Sequence, residues 1–225
     1  MKRALPTRPP QGIGPRADVG RRRAPVRPAE ALLPRREAIL DAALRVIAER
    51  GTEELTHRSV AAAAGVPLGS TTYYFASRDE LVREAFRRYV TRVLGLLSEI
   101  LVESPPSDAA GLVAFLVEVA RREVSGRWTV IVEYELLLRA ARDPALAADF
   151  RRYERILTSG LAEALEPLGA PQPFESARTL IALVRGFELD GLTRGDADPD
   201  DLSRRLAPIV AQALRRPNPR TKEKP

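Results

Sequence analysis

The chain has 225 residues, no cysteine and a single histidine, is 44% hydrophobic and carries a formal charge of +6 at neutral pH. That length suits one large or two small domains, and the lack of cysteine excludes disulfides, thiolate metal sites and cysteine nucleophiles while fitting a reducing cytoplasm. No apolar run reaches the roughly 18 residues of a membrane span and the N-terminus lacks the apolar middle of a signal peptide, so a soluble, cytoplasmic protein without a membrane partner is expected.

Taken in order, residues 1–34 hold eight Lys/Arg against two Asp/Glu and seven of the 19 prolines. Too few apolar side chains remain for a core, and the segment reads as a disordered basic arm. It is either a passive tail or an arm following DNA through Arg21, Arg22 and Arg23, with salt-dependent affinity. Residues 35–75 and 76–225 are each neutral overall, and residues 216–225 form a second basic tail. The first helix is expected over 35–50, with Ala38, Ile39, Ala42, Ala43, Val46 and Ile47 at helical spacing and Gly51 as its stop.

Residues 55–81, LTHRSVAAAAGVPLGSTTYYFASRDEL, are the most informative stretch. Thr56 is a good N-cap with Leu55 and Val60 as a hydrophobic staple, so a helix begins at His57. Gly65 can leave it through positive φ, and Pro67 is tolerated only at the start of a following helix, which carries Leu68, Gly69, Ser70, Thr71, Thr72 and Tyr73. Ser77 with Glu80 forms a capping box opening a long helix to about Glu103. Two helices joined by a short Gly-containing turn are a helix-turn-helix, whose second helix enters the major groove. Beyond it, breaks at SPPSD and PLGAPQP, and the Asp-Pro starts at Asp143 and Asp198, give helices near 107–125, 128–141, 144–166, 173–194 and 199–215. The expected class is all-α with nine helices.

Few side chains suggest chemistry. The lone His57 supports neither a triad nor a His-rich metal site, and no catalytic residue, metal or cofactor is expected. Glu135 reads as an ion pair with Arg139 four residues on. Glu133 falls between Leu136, Leu137 and Ala140, and Glu188 shares a face with Ile181, Val184 and Gly191. A carboxylate on such a face is costly unless paired. Both therefore either face a cavity for a ligand bearing positive charge or hydrogen-bond donors, walled by Phe115, Trp128 and Tyr134, or pair with Arg185, or lie exposed at helix edges.

The stretch from residue 38 to 81, carried by AILDAALRVIAERG, LTHRSVAAAAGVPLGSTTYYF and SRDEL, resembles the DNA-binding domain of the TetR/AcrR family of bacterial transcriptional regulators. The resemblance covers about 45 residues and implies a three-helix head over 35–77 and a helical effector-binding and dimerisation domain over 78–215. It implies DNA contacts by Arg35, Arg36, Thr56, His57, Arg58, Leu68, Gly69, Ser70, Thr71, Thr72, Tyr73 and Arg78. Two positions depart from the family pattern. Its usual Ser is Pro67, removing a side-chain cap, and its phosphate-binding Tyr is Thr72, which leaves the phosphates to the hydroxyls of Thr72 and Tyr73. The resemblance also implies a homodimer through the last two helices, by Leu180, Leu183, Val184, Phe187, Leu202, Leu206, Ile209 and Val210. The expected function is a ligand-responsive regulator, a repressor, that binds a palindromic double-stranded DNA operator and is released by a small-molecule effector. An architectural DNA-binding protein without an effector is the alternative.

Overall fold

A computed structural model describes residues 28–215 apart from 126, 196 and 197. Its elements, among the described residues, are α1 (Pro28–Arg50), a 3-10 turn (Thr52–Glu54), α2 (His57–Ala64), α3 (Leu68–Tyr74), α4 (Arg78–Glu103), α5 (Ala109–Ser125), α6 (Trp128–Ala140), α7 (Pro144–Leu165), α8 (Pro173–Arg194) and α9 (Pro199–Ala213). The all-α expectation holds. The basic arm with Arg21, Arg22 and Arg23, and the tail at 216–225, lie outside the described residues.

Helix starts follow their caps. The Thr56 hydroxyl accepts from the Ser59 amide at 3.0 Å while Ser59 Oγ accepts from the Thr56 amide at 2.9 Å, a capping box in which Ser replaces the usual Glu. Ser77 Oγ accepts from the Glu80 amide, and Asp143 and Asp198 cap α7 and α9 ahead of Pro144 and Pro199. Gly65 closes α2 at φ 65°, with the amides of Gly65 and Val66 returning to the carbonyls of Ala62 and Ala61. A side chain there would be strained, so Gly65 fixes the sharp exit toward α3.

The start of α1 differs from expectation. It lies at Pro28, seven residues before the expected start, and the helix runs through Pro34. Pro28 is itself a favourable first helical residue, and Pro34 removes one amide without ending the helix. Ala38 is exposed rather than core, whereas Leu40 and Leu44 are buried beside Ile39, Ala42, Ala43, Val46 and Ile47. The second half of α1 is covered on nearly every side because α2, α4 and α6 all pack on it.

Two apolar cores result. One joins α1, Leu55, Val60, Phe75 and the first half of α4 to Val132, Leu136, Leu146, Phe150 and Tyr153. Its centre is an aromatic cluster in which Phe86 stacks on Phe150 at 4.8 Å between ring centres and Tyr153 meets Phe86 and Tyr89 edge-on. The other joins Ile100 to Leu112, Leu116, Leu165, Leu180, Leu202, Leu206 and Val210. The packing therefore crosses the expected boundary at residue 77. Helix α4, 26 residues long, belongs to both cores.

Candidate DNA interface and ligand cavity

The outer surface of α3 exposes Leu68, Gly69, Thr72 and Tyr73, the last at 73%. Pro67 precedes it with no side-chain cap, as the substitution of Ser by Pro implies. The Tyr73 ring meets Tyr74 edge-on at 5.1 Å between centres, which holds its hydroxyl outward. Arg35 of α1 reaches this helix, donating to Ser70 Oγ at 3.2 Å. The Thr72 hydroxyl is exposed and donates back to the Gly69 carbonyl at 3.3 Å, a weak bond readily exchanged for a phosphate oxygen. At the start of α2, Thr56 and Arg58 are exposed and His57 is half-buried, its Nδ1 without a hydrogen-bond partner.

Two expected contacts are corrected. Thr71 is fully buried, and its hydroxyl donates to the Leu68 carbonyl at 2.8 Å against the first turn of α2. A β-branched residue on the inner face of a seven-residue helix fixes the spacing of α2 and α3 and cannot also read a base. Arg78 turns inward: its Nε donates to the Leu55 carbonyl at 2.8 Å and its Nη2 to those of Thr52 and Glu53 at 2.8 and 3.0 Å. The Thr52 carbonyl also accepts the Leu55 amide of the 3-10 turn at 3.2 Å, and the guanidinium fork reaches all three carbonyls together. Arg36 is also engaged, lying 5.3 Å above the centre of the Phe75 ring and paired with Glu84.

Behind the head, a cavity of about 290 Å³ lies at the seam between the two cores. Its walls are mostly apolar: Val93, Leu97 and Leu101 from α4, Phe115 and Val119 from α5, Ile156 and Leu161 from α7, and Val184 from α8. Ser98, Glu123, Glu133, Tyr153, Arg185 and Glu188 supply its polar groups. Of the expected wall and site residues, Phe115, Glu133 and Glu188 line it. Trp128 and Tyr134 do not. Trp128 is 37% exposed and lies under the Arg92 guanidinium at 5.2 Å, while the Tyr134 hydroxyl donates to the Arg185 carbonyl at 3.0 Å. Both begin or flank the outer side of α6, turned away from the seam.

Glu133 both faces the cavity and pairs with Arg185. Tyr89 donates to its Oε2 at 2.5 Å, and Arg185 Nη2 lies 2.8 Å from its Oε1, a charge contact rather than an aligned hydrogen bond. Arg185 also contacts Glu154 at 2.6 Å. Burial, then the neighbouring Tyr153 and Glu133, holds the Tyr89 hydroxyl well above the ordinary phenol range, so it stays a donor. Glu188, 2% exposed, has an Oε1 with no hydrogen-bond partner. Glu123 lines the same cavity, and burial raises its carboxyl to about 7, while burial and Glu123 push the Glu188 carboxyl up. Glu123 was missed in the sequence, although the stripe Leu112, Leu116, Val119 on α5 leads at helical spacing directly to it.

Two further corrections concern packing. Glu135 does not pair with Arg139. Its Oε2 accepts from the Thr52 amide at 2.9 Å, while Arg139 contacts Asp79 at 2.8 Å and Glu53 at 3.6 Å. Both side chains thus join α6 to the head, because the bend after α1 offers an unpaired amide within reach. The expected dimer stripe is largely internal: Leu180, Leu202, Leu206 and Val210 are fully buried and Val184 nearly so, within the core shared with α5. Leu183, Phe187 and Ile209 are half-buried, and the exposed positions of α8 and α9 include Ala182, Gly186, Leu189, Ala207 and Ala211.

A helix-turn-helix braced by a third helix, fused to a helical domain with an internal cavity, defines a DNA-binding transcriptional regulator rather than an enzyme. Residues 39–85 match the model of bacterial regulatory proteins of the tetR family, and residues 107–216 match that of the tetracyclin repressor-like C-terminal domain. The chain belongs to the TetR family. It is 30% identical over 188 residues to an HTH-type transcriptional regulator from the dhlA 5′ region of Xanthobacter autotrophicus, covering 80% of this chain and 90% of that one. A transcriptional regulator from Rhodococcus sp. Rha1 superposes with a TM-score of 0.69 at 29% identity, covering 79% of this chain and 95% of that one. The multidrug binding protein EbrR, solved with ethidium, gives a TM-score of 0.60 at 34% identity, covering 78% and 97%. No described helix is long and apolar enough to cross a membrane.

Proposed function

We propose that the protein is a homodimeric cytoplasmic repressor that binds a palindromic operator and leaves it when a small-molecule effector enters the seam cavity. The observation carrying this reading is α4: its N-terminus is capped at the head while Val93, Leu97 and Leu101 line the cavity. A ligand filling the cavity acts on the same rigid helix that holds the head, and it shifts the population only by binding one arrangement better. In this reading Arg35, Ser70, Thr72, Tyr73 and the start of α2 meet DNA, with Leu68 and Gly69 close to base edges. Dimerisation uses the outward faces of α8 and α9, where exposed Ala182, Gly186 and Ala211 allow close helix approach beside Leu183, Phe187, Leu189 and Ile209. The likeness to a multidrug binding protein supports an effector with a substantial apolar body.

The test is selection of duplexes from a random pool by the full chain, followed by a thermal-shift screen of apolar small molecules. An enriched inverted repeat with half-sites about one helical turn or a multiple apart, and hits that dissociate the complex, are expected. Uniform coating without an enriched sequence refutes this reading and favours an architectural protein.

A further inference from the structure

This inference rests on the seam cavity being an effector site, and concerns what that site recognises. Its polar end is an unequal mixture. Arg185 is committed to Glu133 and Glu154, and Glu133 also takes the Tyr89 hydroxyl. Glu133 is thereby compensated. Glu123 from α5 and Glu188 from α8 are not: both are buried, both line the cavity, and among the described residues no ion pair reaches either. They sit on the wall of the same cavity, and one oxygen of Glu188 has no hydrogen-bond partner. Two carboxyl groups can hydrogen-bond directly only if one carries the proton, since two like charges so close in an apolar pocket repel strongly.

We propose that Glu123 and Glu188 form a cation-for-proton exchange site. At rest Glu188 donates a proton to the Glu123 carboxylate, and an organic monocation with an apolar body displaces that proton to solvent. The two carboxylates then flank the ligand's positive charge, and the net charge of the site is unchanged. Burial favours holding the proton at neutral pH, and Glu123 raises the Glu188 carboxyl further. The phenols and the guanidinium around the pair do not titrate in this range. Tyr89 of α4 and Tyr153 of α7 are held well above the phenol range, and Tyr134 of α6 is pushed up to about 12, in each case mainly by burial. Arg185 stays charged between Glu133 and Glu154. An anion meets uncompensated acids here, and a neutral ligand leaves the proton where it is.

The experiment uses two isosteric probes on the full chain: N-methylquinolinium, whose charge is independent of pH, and neutral 1-methylnaphthalene. Calorimetric titrations in two buffers of different ionisation heat, repeated between about pH 6 and 8, measure affinity and proton release on the native protein. The cation is expected to release up to about one proton and to bind up to about tenfold tighter per pH unit, the limit for exchange of a single proton. With Glu188→Gln, cation binding should weaken about tenfold or more and lose its pH dependence while 1-methylnaphthalene still binds. Cation binding without proton release, or equal affinity for both probes at every pH, overturns the exchange site and leaves the cavity as an effector site. Binding of neither probe removes the cavity reading and the proposal with it.

Discussion

Replacing Glu135 by Ala tests whether the head is held to the body by one side-chain contact. In the native chain Glu135 Oε2 accepts from the Thr52 amide at 2.9 Å and from the Thr52 hydroxyl at 3.3 Å. Thr52 is 5% exposed, so Glu135→Ala leaves a buried amide without an acceptor, which costs about 1–3 kcal/mol. For a chain of this size each kcal/mol lowers the melting temperature by about 2–4 °C, so a midrange loss of about 2 kcal/mol lowers it by about 4–8 °C. Glu135→Gln retains an acceptor oxygen and should lose roughly half as much. Thr52→Val removes only the longer bond and should cost least. The flanking contacts of Arg139 do not compensate, because Glu53 and Asp79 are 82% and 67% exposed and such pairs contribute little. Circular dichroism melts of the three variants decide the matter. A Glu135→Ala melt within about 1 °C of native, or an equal loss in Thr52→Val, refutes the reasoning.

At the DNA face, Tyr73→Phe should weaken cognate and scrambled duplexes alike by removing a phosphate contact, read by fluorescence anisotropy; unchanged affinity for both removes Tyr73 from the interface. Arg78→Met removes the Arg78 donors from the carbonyls of Thr52, Glu53 and Leu55, the first of which keeps the Leu55 amide, and should destabilise by about 2–4 kcal/mol in urea titration, each charge-assisted bond being worth about 1.5–3 kcal/mol before relaxation. Stability should also fall as pH rises. Glu123 and Glu188 have folded values above the ordinary carboxyl range, so their contribution is complete below about pH 4.5 and is lost as pH rises, that of Glu123 through about 7 and that of Glu188 through its own raised value. Glu188→Gln should flatten that decline between pH 5.5 and 8, and an unchanged slope argues against the shared proton. Ala182→Glu with Leu189→Glu places charge on the exposed face of α8 and should yield folded monomers by sedimentation; an intact dimer moves the interface elsewhere.

Helix starts were legible wherever a short polar cap met a helical pattern, as at Thr56, Ser77, Asp143 and Asp198. The start of α1 was not, because an interior proline loses an amide bond and crowds the carbonyl one turn back, so Pro34 argues for a helix that begins after it, whereas α1 continues through it. Periodicity shows that a face is buried without saying by what, so Leu180, Leu202, Leu206 and Val210 read as a seam between subunits when the core shared with α5 covers them. Arg78 and Thr71 suit DNA by residue type, yet backbone carbonyls compete for the same donors, and only the fold shows which wins. Of the cavity's acids, Glu133 and Glu188 were readable as charges on apolar faces. Glu123 carried the same signal at the end of the α5 stripe.

The stacking of Arg92 on Trp128 gives the protein an optical reporter of its own. Trp128 is the only tryptophan in the chain, so emission excited at the red edge comes from one place. Arg92 belongs to α4 and also approaches Asp41 of α1 at 3.9 Å, while the indole belongs to α6. The ring therefore lies where helices of the head and of the cavity wall converge, partly wet at 37% exposure. Sliding α4 past α6 lifts the guanidinium from the indole and changes both its quenching and its hydration. An effector that moves the head should shift the intensity and wavelength of this single emitter, whereas one that only fills the cavity should leave the spectrum as it is.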